Sequence, residues 1–421
     1  MLLALGIFIL TYVLLLFLPK IRAYIALFSA ATFVIIGTLP GQSVFAAVDW
    51  NVLMMIAGTM GIVHLFIESK MPARMADYII EKTPNVKWAI IALALFAGII
   101  SAFVDNVATV LMVAPVALTI ARKLKISPVP SIIAIAISSN LQGAATLVGD
   151  TTSILLGGYA GMDFLDFFFF KGRIGMFFVV QVGALVSALI LMLIFRKQSQ
   201  PVHLTEKTKV TDYFPSYLLL GTVVLLILAS FIPGKPATTN GIICVSLMVI
   251  GIFREMIRTR NAKAFLKVVK EIDFFTLLLL GSLFIVIEGI KVAGVVDEIA
   301  RLFVQISGNN LFLIYTLLVW ASVLLSAFID NIPYIATMLP VTQSIALHLG
   351  VDPTILYFGL LAGATLGGNL TPIGASANIT ALGILRKEGH EVKTGTFMKI
   401  SVPFTLAAVL SGYILIWLIW R

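Results

Sequence analysis

Asp105, Asp150 and Asp330 each stand inside a long apolar run. Asn106 and Asn331 directly follow the first and the last, while Thr146, Gly149 and Ser153 flank the second. A carboxylate among apolar side chains persists only if it is paired, hydrated or protonated, so such residues are candidates for handling cations or protons. A further cluster, Gly368-Asn369-Leu370-Thr371-Pro372-Ile373-Gly374-Ala375-Ser376-Ala377-Asn378, gathers amide, hydroxyl and small residues in an otherwise apolar stretch. These types suit the binding of small ions or polar solutes. Covalent chemistry is not indicated: there is no nucleophile–base pair, no Walker loop and no His-Glu-x-x-His. The single cysteine, Cys244, excludes a structural disulfide and a Cys-rich metal site. Neither enzymatic activity nor a cofactor is expected.

The clusters recur at one spacing. Ser101-Ala102-Phe103-Val104-Asp105-Asn106 returns as Ser326-Ala327-Phe328-Ile329-Asp330-Asn331, and the same offset pairs Pro115 with Pro340, Gly143 with Gly368, Thr146 with Thr371 and Gly149 with Gly374. Each Asp-Asn pair interrupts an apolar block, 88–121 or 311–346, that is too long for one span. Each block therefore reads as a hairpin whose tip lies inside the membrane. The free N–H groups at the start of its second arm call for a cap, which Asp or Asn supplies. Capping alone would account for the pair, and capping can coexist with ligation of an ion. The clusters near Gly143–Ser153 and Gly368–Asn378 interrupt spans 130–160 and 354–385 as broken helices would. Irregular backbone at membrane depth is tolerated only where it is buried in protein or lines a cavity. Close helix packing is the other use of such small residues.

The bulk composition says what must position these groups. The chain has 421 residues, 60% hydrophobic and 12% charged, with a mean hydropathy of +1.07. A soluble domain carries about 25% charged residues, so soluble, secreted-scaffold and disordered classes are excluded. At about 20 residues per span the length accommodates about ten to thirteen spans. Besides the interrupted segments, spans are predicted near 2–17, 21–39, 51–67, 175–195, 216–232, 239–253, 274–291 and 397–419. The first run lacks a basic leader region and reads as a span. Residues 1–195 then form one repeat, 196–215 a polar cytoplasmic linker and 216–421 a second repeat. Each repeat holds five spans plus one hairpin that returns to its own side. Five is odd, so the second repeat is upside down relative to the first. The predicted fold is an all-α polytopic membrane protein of two inverted-topology repeats, each with a re-entrant hairpin and a broken helix.

All but six of the 29 Lys and Arg residues fall in loops 18–22, 68–87, 122–129, 196–215, 254–273 and 386–399. The exceptions are Lys171, Arg173, Lys235, Lys291, Arg301 and Arg421. The positive-inside bias places the basic loops in the cytoplasm and both termini outside. The net charge of +9 then reports loops facing anionic lipid rather than a nucleic-acid partner. Glu68 with Lys70 and Glu288 with Lys291 read as interfacial ion pairs. His64 falls within a span, and His203, His348 and His390 in loops. Phe167–Phe170 beside Asp163 and Asp166 reads as an interfacial element on the outer side.

Taken in order, the Ser-Ala-Phe-(Val/Ile)-Asp-Asn elements, Gly-Ala-Ala-Thr-Leu-Val-Gly-Asp and Gly-Gly-Asn-Leu-Thr-Pro-Ile-Gly-Ala-Ser-Ala-Asn resemble the ion transporter superfamily over nearly the whole chain. The match is closest to its arsenite-permease and D-type sodium/proton-antiporter branch, which includes the melanosomal P protein and citrate-transporter-like permeases. The resemblance implies a secondary active transporter of the cell membrane, a homodimer, and elevator-like motion. Carried over by position, it implies hairpin tips at Asp105-Asn106 and Asp330-Asn331. The breaks would lie near Thr146–Ser153 and Thr371–Asn378. Substrate or ion contacts are then expected from these residues together with Gly149, Asp150, Asn369, Gly374 and Ser376. Candidate Na⁺ sites are Asp105, Asn106 and Gly149, and Asp330, Asn331 and Gly374. Two departures matter. Sodium-coupled dicarboxylate relatives carry Ser-Asn-Thr at each tip, where this chain has Asp-Asn-Val and Asp-Asn-Ile. The family's Gly-Asp-Pro-Pro-Asn at the first break is here Gly149-Asp150-Thr151-Thr152-Ser153.

No Lys or Arg falls in any of the four motifs. Three carboxylates would repel a citrate-sized polyanion, with only helix N-termini to offset them. A cation, a neutral solute such as arsenous acid, or an anion with co-bound cations fits better. Taken out of water, a carboxylate also holds its proton more tightly, which suits proton coupling. The first reading is a proton- or sodium-coupled permease of the arsenite/anion branch. A Na⁺/H⁺ antiporter, a sodium-coupled di- or tricarboxylate symporter and, from another class, a passive channel are the alternatives. The topology is testable: a Lys263→Cys variant is expected to be labelled by an impermeant maleimide only from the cytoplasmic side of oriented vesicles. Labelling from outside would overturn the orientation.

Overall fold

The computed structural model describes residues 1–202 and 208–421. His203 and the middle of the 196–215 linker lie outside the described residues. What is described is almost wholly helical. The one pair of short strands, Phe169–Phe170 with Arg173–Ile174, follows a 3₁₀ turn at Phe164–Phe167. Lys235 fastens that turn through an ion pair to Asp163 at 2.6 Å.

Asp49 caps Trp50–Glu68, accepting from Val52 N at 3.0 Å, and Asp273 caps Phe274–Val292, accepting from Thr276 N at 3.0 Å. Trp50–Glu68 packs along Thr239–Thr259, and Phe274–Val292 packs along Arg22–Ile35. These helices flank a second group made of the hairpins, the broken helices, Met176–Ile194 and Thr394–Trp420. Large apolar side chains such as Phe28, Ile35, Leu185 and Phe253 are exposed on the outer helices, as contact with lipid requires.

The hairpin arms are Val86–Ser101 with Asn106–Leu124, and Leu311–Ser326 with Asn331–Leu349. Every one of these bounds repeats at the spacing found in the sequence motifs. So do the half-helices Val129–Gln142 and Thr354–Gly367, and the residues where the second halves resume, Thr151 and Ser376. The packing is reciprocal as well. Asn106–Leu124 lies against Ser376–Lys387, as Asn331–Leu349 lies against Thr151–Ala160. Such exchange of partners is what a two-fold relation between halves produces. The first arms and the half-helices, of 10 to 16 residues, rise only about 1.5 Å per residue, too little to cross a hydrocarbon core of about 30 Å, whereas the second arms have 19 residues each.

Several details differ from the sequence reading. The first break begins at Gly143, where its residue cluster begins, rather than near Thr146, whereas the second helix continues as a 3₁₀ turn over Gly368–Leu370 and turns extended at Thr371 as expected; Ser153 and Asn378 already lie in the first turn of the second half-helices. Segments read as loops contain helices, Met71–Glu81 and Lys263–Glu271. The amphipathic Val295–Ser307, with Val295, Val296 and Ala300 buried, meets Leu311–Ser326 at 117°. The first two spans meet at 111° across the Pro19–Ile21 turn, where Pro cannot continue a helix interior. Finally, Lys291 pairs with Glu288 at 3.4 Å as expected, whereas Glu68 faces His64 at 3.7 Å.

Candidate functional site

Both hairpins turn within four residues, and in both the Asp of the Asp-Asn pair is the N-cap of the second arm. Asp105 Oδ1 accepts from Val107 N at 3.0 Å and Ala108 N at 3.1 Å, and Asp330 Oδ1 accepts from Ile332 N at 3.0 Å. The following Asn106 is buried and locked. It accepts from Ser101 Oγ at 2.7 Å and donates to Asn140 Oδ1 at 3.1 Å. Asn140 in turn donates to the Thr365 carbonyl of the other broken helix at 2.8 Å, so the first tip is wired to the second repeat.

The broken helices receive the tips. Thr146 Oγ1 donates to the Ala102 carbonyl, and Thr371 Oγ1 to the Ala327 carbonyl. Ser153 Oγ bridges the first break by donating to Gly143 O at 3.0 Å. Asn378 Nδ2 does the same in the second, donating to Gly368 O at 3.1 Å and Thr371 O at 3.0 Å. Glycine is required beside each tip. A Cβ on Gly149 would lie 2.7, 3.0 and 3.1 Å from the carbonyl oxygens of Gly143, Ala102 and Ser101, and one on Gly374 would lie 2.6, 2.8 and 3.0 Å from those of Gly368, Ala327 and Ser326. Three helix-terminal carbonyl oxygens thus converge at each break.

Asp150 caps the second half of the first broken helix, accepting from Thr151 N and Thr152 Oγ1, both at 2.8 Å. The corresponding position in the second repeat is Ala375, which has no side chain to cap with. Instead Asn369 Oδ1 and Asn378 Oδ1 are buried acceptors with no hydrogen-bond partner. Buried amide oxygens ordinarily find a donor, so each leaves an open acceptor.

A cavity of about 260 Å³ opens beside these elements. From the first repeat it is lined by Asp105, Asn106, Asn140, Asp150 and Thr151, and from the second by Asn331, Thr276 and Ser376. Its remaining polar lining is Arg22, His64, Glu271 and Asp273. Glu271 is 59% exposed and ends the lysine-rich helix Lys263–Glu271, so the cavity leads from the tips toward the lysine- and arginine-rich segment. Of the sequence-predicted residues, Asp105, Asn106, Asp150, Asn331 and Ser376 come together in this cavity. Asp330 stands just behind it, joined to Arg22. Thr146, Gly149, Ser153, Asn369, Thr371, Gly374 and Asn378 hold the tips and breaks from behind.

Sequence reasoning missed Arg22, His64 and Asp273. Arg22 was counted only as a loop charge, and no motif marks it. Asp273 had a signal: with Asp49 it forms another pair of matched helix caps, displaced by one residue from the main offset. Among the described residues, no cluster of three or more His, Cys, Asp or Glu side chains has the arrangement of a metal site.

The profile of a family described as citrate transporter matches residues 12–363. The chain is 30% identical to a 46 kDa membrane protein of Mycobacterium leprae, across 99% of this chain and 98% of that one. It is 29% identical to an uncharacterized transporter of Mycobacterium tuberculosis, across 99% and 97%. Likeness to the human P protein is 26% over 92% of this chain, which spans 56% of that longer protein. Among solved structures, the Alcanivorax borkumensis YdaH transporter superposes with a TM-score of 0.61 at 14% identity, covering 89% of this chain and 86% of that one. Neisseria gonorrhoeae MtrF gives 0.58 at 15%, covering 88% and 80%. At these identities the likeness is one of fold.

Capping and charge can be separated at the first tip. Asn caps a helix about as well as Asp, whereas Ala costs about 1 kcal/mol. Asp105→Asn is therefore expected to keep wild-type thermal stability while coupled flux falls by roughly tenfold or more, and Asp105→Ala to lose both. Full, normally coupled flux in Asp105→Asn would reduce this aspartate to a cap.

Proposed function

The chain belongs to the citrate transporter family and is a multi-pass membrane transporter; on that premise we propose that it is a secondary active permease coupled to protons or sodium. The observation that carries this reading is the shared cavity. Carboxylate, amide and hydroxyl groups of both repeats and a single arginine face one space. Asp105, Asp150, Glu271 and Asp273 outnumber Arg22, whose charge already lies against Asp330. A binding space of that sign attracts cations and repels a free polyanion. Protons would be taken by the cavity carboxylates. Sodium would be held at the tips and breaks, where carbonyl oxygens converge on Gly149 and Gly374 and the amide oxygens of Asn369 and Asn378 lack donors.

The carried solute is then a small neutral species, or a carboxylate that enters with its own cation. Arg22 favours the second of these, since a guanidinium matches a carboxylate in two parallel hydrogen bonds. The cavity's approach to the basic face supports an inward-facing conformation in the cell membrane, with both termini outside. Homodimerisation and elevator-like motion rest on the resemblance to the superfamily.

The test is flux into proteoliposomes carrying an internal pH dye, with Na⁺, arsenite, citrate, and citrate plus Mg²⁺ presented in turn under an imposed gradient. The expected result is saturable uptake of one of these solutes that requires the proton or sodium gradient. A pH change driven by Na⁺ alone would make exchange of the two cations the activity. Unsaturable flux indifferent to both gradients would contradict a carrier and fit a channel.

A further inference from the structure

The two tips are chemically unlike. Asp330 divides its carboxylate, with Oδ1 on the Ile332 amide and Oδ2 on Arg22 Nη1. Asp105 caps its helix through Oδ1 alone and pairs with no Lys or Arg among the described residues. Arg22 is foreign to the hairpin. It is the first residue of Arg22–Ile35, a helix packed along Phe274–Val292 in the flanking group. Its side chain is only 18% exposed and borders the cavity, yet its Nε is buried without an acceptor. A guanidinium has five N–H donors in a planar fork, so Asp330 leaves part of that fork unsatisfied.

We propose that Arg22 is a resident counter-cation of the second tip, which the coupling cation displaces from Asp330 and which then receives a carboxylate of the carried solute. The inference rests on the carrier reading above and names its solute class. A proton or sodium ion at Asp330 neutralises the carboxylate that holds the guanidinium. The freed arginine stays in a mostly buried position, where an unpaired charge is costly, and the nearest open space is the cavity. A solute carboxylate entering there supplies two oxygens to the fork. Without the cation the fork stays engaged with Asp330, and the solute faces Asp105, Asp150, Glu271 and Asp273, with His64 as the other titratable group on the lining. Binding is therefore ordered, cation before anion, and that order prevents slippage of one without the other. Because Arg22 and Asp330 belong to different helix groups, the exchange also loosens a contact between the parts that must move past each other.

The experiment is thermal unfolding of the purified full-length chain, titrated with Tris citrate in sodium chloride or in choline chloride, and over a series of buffered pH values. Wild type is expected to be stabilised by citrate only where the coupling cation, sodium or acid, is present. In Asp330→Asn, which keeps the cap, Arg22 is already free and citrate stabilises without that cation. Arg22→Gln is expected to bind the cation about tenfold more tightly and to lose the citrate response. Arg22→Lys keeps the charge but lacks the fork, so its cation response stays near wild type while its citrate affinity falls about tenfold. A cation requirement that persists in Asp330→Asn, or a wild-type citrate response in Arg22→Gln, overturns the inference. The carrier reading fails separately: a wild type indifferent to cations and to citrate removes it, and the inference with it. If instead Asp105→Asn abolishes the cation response while both Arg22 variants match wild type, the carrier reading stands and the role of Arg22 is overturned.

Discussion

Every backbone N–H and C=O that leaves helical pairing inside a membrane must find a partner within the protein, because hydrocarbon offers none. Among the described residues, the chain leaves helical pairing at two tips and two breaks that are set against one another. Asp105 and Asp330 cap the N–H groups of the tips, while Thr146 and Thr371 reach across to their carbonyls. Ser153 and Asn378 span the breaks. Asn140 and Asn369 then cross between the two repeats, donating to Thr365 O and Ile137 O. Within each repeat the tip and the break satisfy one another, and the two asparagines join the repeats. The demand for partners thus brings both sets of interruptions together, and with them a cavity bounded by both repeats.

Within that shared plan the repeats have diverged in charge. The first carries a carboxylate at its break, Asp150, and a tip aspartate with no cationic partner among the described residues. The second has Ala375 in place of the former and Arg22 on the latter. The two halves share their geometry and differ in the charges placed on it. A symmetric site would hold two equivalent ions. The asymmetric one sets an open tip aspartate beside a tip aspartate already held by an arginine, which suits a solute and a coupling ion of opposite sign.

Much of this was legible in the sequence because polar, Gly and Pro residues are conspicuous in apolar surroundings. The Asp-Asn pairs marked the tips, and a single offset found both breaks and the matched helix ends. Legibility failed where position rather than residue type decides. Arg22 follows Pro19 in what reads as a short basic loop, and only the turn at Pro19–Ile21 and the placement of the next helix carry it to Asp330. The amphipathic helices Met71–Glu81 and Val295–Ser307 were hidden because their charges suggested loops, although an apolar stripe runs along one face of each. The start of the first break, at Gly143 rather than near Thr146, is blurred because Gly143 still holds helical backbone angles.

The central claim is that solute and coupling ion meet between the two hairpin tips. Cryo-electron microscopy of the protein in lipid nanodiscs tests it most directly, with maps recorded in sodium plus magnesium citrate and compared with maps in choline chloride. The account predicts added density bounded by Asp105-Asn106 on one side and Asn331 with Arg22 on the other. Density confined to another part of the molecule, with these tips unchanged between the two conditions, would contradict it.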